Sequence, residues 1–379
     1  MDISVIIPCL NEKQTIEKVI FRAKKLIELA GTGEIIVVDN GSSDGSDIYA
    51  EKSGAKVLHV KKKGYGSALR EGILNAQGEI IIMADADDTY HLDEALPLIT
   101  TLKEGADVVI GNRLIAEKIS GAMTRWSAIG TPIISFFGKL FFGTSIGDYN
   151  CGMRAAYRSS LQKLNLVANG MEFASEMIIK AQLQRFQIRE VPVTLYNGPY
   201  GRVPHLRPLQ DGWRHIRFML WHAPRWLFLF PGWSMVTIGL IAVITTLRSP
   251  VAIGVATFDV MTSIAGMVLV IVGTSVIGAG SLARAYGYKA GFLEKEKELF
   301  PHDWWVCIGG IMSLFSLCVM LILVANWVRS GFIGLDIRNT LRILIPSCLA
   351  CAVGIQLFFY GFLRGVFSIP VNESFDKKN

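Results

Sequence analysis

The chain is poor in charge and has no cysteine framework. Only 18 % of its 379 residues are Asp, Glu, Lys or Arg, against 51 % apolar, and the formal charge is +6. That balance excludes a disordered chain and a basic nucleic-acid tail, because both need far fewer apolar residues. The 38 Lys and Arg are scattered, so lipid headgroups are better partners than nucleic acid. Six cysteines are too few and too dispersed for a disulfide scaffold. Cys307, Cys318, Cys348 and Cys351 lie in apolar runs, while Cys9 and Cys151 stand far apart, which suits a reducing compartment. Cys348-x-x-Cys351 has redox spacing but no thioredoxin-like surroundings. The opening Ile3-Ser4-Val5-Ile6-Ile7 lacks the basic, apolar and cleavage segments of a signal peptide, so none is expected. Internal repeats and low-complexity tracts are not evident.

The length is that of two units. Up to about residue 225, short apolar runs alternate with amphipathic segments, the pattern of an α/β fold with a mostly parallel sheet. Ile3 to Pro8, Glu34 to Val38, Lys56 to Val60, Glu79 to Met83 and Asp107 to Gly111 read as strands, and Gln14 to Leu29, Gly66 to Ala76 and Leu92 to Lys103 as helices. Ligands are then expected at the carboxyl ends of the strands. Beyond residue 225 lie four apolar stretches, about 227–247, 260–282, 304–327 and 341–363, each long enough to cross a ~30 Å hydrocarbon core as a helix. The predicted organisation is an α/β domain at 1–208, an interfacial amphipathic helix at 209–226, an all-α membrane domain of four transmembrane helices at 227–363 and a tail at 364–379.

Trp226, Trp233, Trp304, Trp305, Trp327 and Tyr360 fall near the span ends, where aromatic belts form. Arg284, Lys289, Lys295 and Lys297 follow the second span, and Arg364, Lys377 and Lys378 the fourth, whereas the first hairpin holds only Arg248 and the third connection Arg329 and Arg338. The positive-inside bias predicts a multi-pass membrane protein with its N-terminal domain, middle loop and C-terminus in the cytosol. Asp259, at the start of the second span, is expected at the interface. From Leu209 to Trp226, Trp213, Ile216, Leu220 and Trp221 interleave with Arg214, His215 and Arg217. This segment suits either a helix lying on headgroups or one packed on the globular domain.

The chemistry gathers where strands end. The first runs into Pro8-Cys9-Leu10-Asn11-Glu12, the second into Asp39-Asn40-Gly41-Ser42 and the fourth into Asp85-Ala86-Asp87-Asp88. Two carboxylates at i and i+2 in a turn can face one hard cation, which in turn neutralises a sugar-nucleotide diphosphate. An isolated Asp-x-Asp is commonplace in turns; three acidic strand ends in order are not.

These residues carry a resemblance. Val5-Ile6-Ile7-Pro8-Cys9-Leu10-Asn11-Glu12, Val38-Asp39-Asn40-Gly41-Ser42, Gly64-Tyr65-Gly66-Ser67-Ala68-Leu69-Arg70, Asp85-Ala86-Asp87, Gly111-Asn112-Arg113 and Asp148-Tyr149-Asn150-Cys151-Gly152-Met153-Arg154 follow one another over residues 1–225. In that order they resemble family-2 glycosyltransferases of the GT-A fold, in particular membrane-anchored polyprenyl-phosphate sugar synthases such as the dolichyl-phosphate mannose synthases and polyprenyl-phosphate glucosyltransferases. The resemblance implies donor contacts from Pro8, Asn11, Glu12, Asp39, Gly64, Arg70, Asp85, Ala86 and Glu176, with Glu12 on ribose and Asp39 on the base. It implies Mg²⁺ or Mn²⁺ on Asp87 and Asp85, and Arg113 and Arg154 on phosphate oxygens, a role that suits the guanidinium fork. Glu172 and Glu176 share a helical face and are expected near the sugar or metal, or on an exposed face. Arg202, His205 and Arg207 are expected to meet an acceptor phosphate. Asn40 and Thr89 depart from the family's commoner acid and Gln, and its Ser-Lys pair is missing from the 198–207 loop.

The implied reaction joins one sugar from a nucleotide sugar, of the UDP-glucose or GDP-mannose class, to a polyprenyl phosphate, with inversion. A homo-oligomer is also allowed. Three rivals are weaker. A processive polysaccharide synthase would carry Gln-x-x-Arg-Trp, of which only Arg225-Trp226 is present. Spans with almost no internal charge suit transport poorly, and Asp85 and Asp87 argue against an inactive scaffold. A dinucleotide-binding loop would need a third glycine where Leu69 stands.

Overall fold

The computed structural model describes residues 1–116, 119, 121–199, 208–289, 293, 301–333 and 336–369. The chain forms two compact units, Met1–Trp221 and His222–Asn379.

In the first unit the order is β1 (Ile3–Cys9), α1 (Ile16–Ala30), β2 (Gly33–Asp39), α2 (Ser46–Lys52), β3 (Lys56–His59), α3 (Tyr65–Asn75), β4 (Ile80–Met83), α4 (Leu96–Lys103), β5 (Val108–Asn112), α5 (Arg125–Phe142), β6 (Arg154–Tyr157), α6 (Arg158–Leu164), α7 (Phe173–Leu183), β7 (Ile188–Pro192) and α8 (Pro208–His222). One seven-stranded sheet has the order β3-β2-β1-β4-β6-β5-β7. β1, β2, β3 and β4 pair in parallel, as do β5 and β7, and β6 runs antiparallel between β4 and β5. The five expected strands form close to their expected bounds. The aliphatic runs of β1, β4 and β5 are buried on both faces, whereas β3 at the sheet edge is only partly buried, and each fully buried Ile or Val contributes about 2 kcal/mol.

Three of the departures from expectation are informative. The helix expected from Leu92 to Lys103 breaks into a 3₁₀ turn at Leu92–Glu94 and α4, because Pro97 can occupy only the first turn of a helix. β6 is only Arg-Ala-Ala-Tyr, too short to show a periodicity. α5 buries Thr131, Ile134, Ser135 and Gly138 but exposes Trp126, Ile129, Ile133, Phe136 and Leu140, a second apolar stripe on the opposite side.

α8 reconciles the two readings of its segment. Asp211, His215, Phe218 and Met219 are buried at helical spacing, while Leu209, Trp213 and Trp221 are exposed. The helix packs on the domain by its mixed face and turns its largest apolar groups outward.

The second unit comprises α9 (Phe230–Thr246), a hairpin of β8 (Val251–Ile253) and β9 (Ala256–Phe258), α10 (Val260–Lys289), α11 (His302–Arg329) and α12 (Ile337–Ser368). A π-helical turn, Arg225–Leu229, leads into α9. All four helices are long and apolar enough to cross a membrane. α9 packs on α10, α10 on α12 and α12 on α11. Glycines allow the close approaches: a Cβ on Gly266 would lie 2.6 Å from the Gly239 carbonyl, and one on Gly309 would lie 2.5 Å from the Gly354 carbonyl. Small residues at such crossings let backbones meet where no hydrophobic drive is available. Thr274 donates to Gln356 between α10 and α12. Asp259, at the head of α10, pairs with Arg342 at 3.0 Å and Arg338 at 3.3 Å.

In the first unit, α3 can begin only because two glycines press against the 168–170 loop. A Cβ on Gly66 would stand 2.5 Å from the Ala168 carbonyl, whereas one on Gly130, within α5, would meet nothing within 4 Å. Gly66→Ala should therefore cost about 1–3 kcal/mol, and Gly130→Ala should add about 0.5–1 kcal/mol by helix propensity. Thermal unfolding of the full-length protein in detergent, followed by fluorescence, should move in opposite directions for the two.

Candidate active site

Parallel strands deliver their carboxyl ends to one edge of the sheet, and the side chains there surround a cavity of about 720 Å³. One wall comes from Pro8 and Cys9 at the end of β1, from Glu12 just beyond it, and from Asn40, Lys63 and Gly64. Asp85, Ala86 and Asp87 follow β4, while Thr124, Met171, Leu195, Gln210, Asp211 and Arg214 also line the space. Seven expected site residues meet here: Pro8, Glu12, Gly64, Asp85, Ala86, Asp87 and Arg113.

The Asp85–Asp88 turn is built from outside. Thr15 Oγ1 donates to the Ala86 carbonyl at 2.7 Å, tying the turn to the start of α1. Asp88, at φ 56°, points to Arg22 of α1, whose guanidinium also holds Asp93. Asp87 Oδ1 accepts from the Thr89 amide at 3.1 Å and hydroxyl at 2.6 Å. Thr89 thus orients the carboxylate where the family often has Gln. Gly152 lies against Asp85, and a Cβ there would come 2.3 Å from Asp85 Oδ2. Its amide donates to the Tyr90 hydroxyl at 3.1 Å, which keeps the 148–154 segment against the pocket.

Arg113 is fixed by a relay that starts on β7. Glu190 accepts from the Gly147 and Asp148 amides at 2.9 and 3.0 Å, and the buried Asp148 then grips Arg113 by two bonds of 2.7 and 2.8 Å. Such a bidentate pair holds the guanidinium plane in one orientation.

Six expected residues lie outside the pocket lining, and each has a structural task. Arg154 is buried, and its guanidinium donates to the carbonyls of Cys151, Ala174 and Tyr149 at 2.7–2.8 Å, so its fork is filled by backbone and does not reach a phosphate. Arg70 donates to the Val167 carbonyl and to Asn169, bracing the loop beneath Gly64. Glu176, fully buried, accepts from the Val167 and Ala168 amides and pairs with Lys180 at 2.8 Å. Its partner in the expected pair, Glu172, accepts from the Gly170 amide. The Asp39 carboxylate accepts from the Gly41 and Ser42 amides, shaping the turn, and faces His59 at 3.5 Å. Asn11, at φ 55°, accepts from the Ser43 amide at 2.8 Å. Arg202, His205 and Arg207 lie outside the described residues.

Sequence reasoning missed Tyr65, Tyr90, Lys63 and Asn40 as pocket walls, together with Gln210, Asp211 and Arg214 of α8. Asn40 accepts from the Gly64 amide at 2.7 Å and donates to the Lys62 carbonyl, so its amide clasps the 62–64 loop, which an acid could only half do. Cys9 also lines the pocket, but burial pushes its thiol up to about 12, which removes it as a nucleophile at neutral pH. All six cysteines are unpaired.

Among the described residues no three His, Cys, Asp or Glu side chains cluster as a metal cage. Asp85 and Asp87 nevertheless suit a hard divalent cation that takes its remaining ligands from water and a diphosphate, which is how Mg²⁺ ordinarily binds with phosphates.

Residues 4–164 match the glycosyl transferase family 2 domain, and residues 281–368 the glycosyltransferase family 2 C-terminal transmembrane region. The chain is 33 % identical over 371 residues to the low-salt glycan biosynthesis hexosyltransferase Agl6 of Haloferax volcanii, an alignment spanning 96 % of this chain and 88 % of the relative. It is 28 % identical over 192 residues to a dolichyl-phosphate hexose transferase of the same organism, covering 51 % and 82 %. A crystal structure of glucosyl-3-phosphoglycerate synthase from Mycobacterium tuberculosis with Mn²⁺, UDP and phosphoglyceric acid shares 26 % identity over 58 % of this chain and 77 % of that one, with a TM-score of 0.46. The chain belongs to glycosyltransferase family 2. It is an integral membrane glycosyltransferase, a GT-A-like domain followed by an all-helical region.

α8 is pinned to α7 beneath the pocket by His215 Nδ1 and Ser175 Oγ, 2.7 Å apart and buried. Burial lowers the His215 pKa from 6.5 to about 4. The folded state therefore keeps the imidazole neutral. Its contribution is complete above pH 6.5 and is lost as pH falls towards 4, at a cost of about 3 kcal/mol. The melting temperature of the wild type should fall across that window more steeply than that of His215→Gln, which has no imidazole to protonate.

Proposed function

We propose that the enzyme transfers a single sugar from a nucleoside-diphosphate sugar of the UDP-glucose or GDP-mannose class to a polyprenyl phosphate, with inversion, on the cytosolic leaflet. The observation that carries the lipid acceptor is the composition of the pocket wall. Gln210, Asp211 and Arg214 belong to α8, whose chain enters the first span only a few residues beyond. Two outward apolar faces support the same reading. α5 shows Trp126, Ile129, Ile133 and Phe136, α8 shows Trp213 and Trp221, and α5 contains no acid, so both helices suit an anionic headgroup layer. The similarity to Agl6 and to a dolichyl-phosphate hexose transferase agrees.

Pro8, Glu12 and Gly64 form the donor wall, and Asp85 and Asp87 would hold Mg²⁺ or Mn²⁺. When bound, such an ion offsets charge on the departing diphosphate. A sugar hydroxyl would need a general base to become nucleophilic. A lipid monophosphate, with a second pKa near ~6, is already largely dianionic at pH 7. One of its oxygens bonds to the anomeric carbon as the bond to the diphosphate breaks, the electron pair leaving with the nucleoside diphosphate. No proton need move. Arg113, locked by Asp148, offers fixed positive charge to this meeting of two anions, so none must be reoriented during the reaction.

Membranes containing the protein, incubated with labelled nucleotide sugars, polyprenyl phosphate and Mg²⁺ or Mn²⁺, should place one label in the organic-extractable lipid. Asp87→Ala should reduce incorporation at least 100-fold. A water-soluble polymer would instead support a processive synthase, and a product with retained anomeric configuration by NMR would refute the displacement.

A further inference from the structure

Two anions meeting in one pocket make its cations worth tracing singly. Three line it among the described residues: Lys63, Arg113 and Arg214. Arg113 is held in place, its Nε and one Nη closed on Asp148 at 2.7 and 2.8 Å. Lys63 donates to the Asn40 carbonyl at 2.7 Å, within the clasp beside Gly64. Arg214 is different. Its contact is with Asp211, one turn earlier on α8, at 3.4 Å, and its side chain is 43 % exposed. That contact is long enough to be given up for a better anion, and it turns the guanidinium towards a pocket-lining residue.

The helix beneath Arg214 is much firmer than the side chain. The next residue, His215, is buried and bonded to Ser175 at 2.7 Å, and Phe218 and Met219 are buried a turn further on. Arg214 thus combines a buried, bonded helix beneath it with a half-exposed, planar, always-charged head, which suits capture of an arriving phosphate. It also precedes Arg225, where the first span begins, by only a short stretch of chain. A phosphate whose prenyl tail remains in the bilayer would approach from that part of the chain, whereas a soluble nucleotide has no such restriction.

We infer that Arg214 is the acceptor-binding residue of this site: its guanidinium leaves Asp211 and takes the phosphate of the lipid acceptor beside Asp85 and Asp87. The inference rests on the proposed lipid-phosphate acceptor, and it assigns to α8 a role in substrate recognition as well as anchorage.

The test uses full-length protein in nanodiscs and compares wild type, Arg214→Gln and Arg214→Lys. The KM for polyprenyl phosphate and for the nucleotide sugar is measured together with the Kd for the nucleoside diphosphate. Loss of a charge-assisted bond should raise the polyprenyl-phosphate KM by about 10–100-fold in Arg214→Gln. The lysine variant, which keeps the charge but not the fork, should fall between. Donor KM and nucleoside diphosphate Kd should stay within about twofold of wild type. A rise in those two constants instead would assign Arg214 to the donor diphosphate and overturn the inference. Unchanged constants, with or without a lower kcat, would overturn it too, leaving Arg214 as a wall or surface residue. If wild type transfers no sugar to polyprenyl phosphate, the functional reading fails and the inference with it. If wild type transfers sugar and Arg214→Gln matches it, the inference alone fails.

Discussion

Carboxylates repel one another, and a parallel sheet nevertheless brings the acids at its strand ends to one edge. The surroundings of the pocket consist largely of devices that make this tolerable. Asp39 is satisfied by the amides of its own turn, Asp88 by Arg22, Asp87 by Thr89 and Asp148 by Arg113. Each bond removes a charge from the competition or holds it in one orientation. The short acidic turn from Asp85 to Asp87 is presented to a space large enough for a nucleotide sugar. A buried carboxylate without a partner would take up a proton or destabilise the fold. Partnered, it keeps its charge for a cation and the diphosphate that comes with it.

The same economy governs the arginines. Arg113, Arg154 and Arg214 are chemically alike, yet the fold separates them by how fully their donors are occupied. Arg154 spends its fork on three carbonyls and stiffens the segment around β6. Arg113 spends its fork on one carboxylate and remains at the pocket as a fixed positive wall. Arg214 has only a loose contact with Asp211. A graded series of this kind supplies rigidity, preorganised charge and, on the reading proposed above, an adaptable ligand from a single residue type.

Much of the fold was legible because its signals are local. Five aliphatic runs of strand length, amphipathic helices between them and four apolar segments long enough to span a bilayer are all visible without contacts. β6 was not, since four residues between β4 and β5 carry no period and are placed by their neighbours. α5 was passed over because apolar residues on two faces blur its helical period. Within the site, Asp85, Asp87 and Glu12 could be placed at the pocket from their positions at strand ends, and Arg113 from the family resemblance. Arg154 and Glu176 could not, because their partners come from residues 149–151, 167–168 and 174, and nothing in their own segments tells a buried structural charge from a catalytic one. Likewise, α8 was recognisable as an amphipathic helix, but that its Asp211 and Arg214 face the pocket depends on the seat His215 finds against Ser175.

The proposed chemistry rests on an acceptor that arrives already ionised, so that the protein supplies positive charge and alignment but no general base. The pH dependence of kcat/KM for two lipid acceptors on the same enzyme tests this most directly. With polyprenyl phosphate the acid limb should report an ionisation near ~6. With an otherwise identical acceptor whose headgroup ionises about one unit lower, such as a difluoromethylphosphonate, the limb should move down by the same amount. A limb that stays in place for both acceptors would belong to a group on the enzyme and would contradict the account.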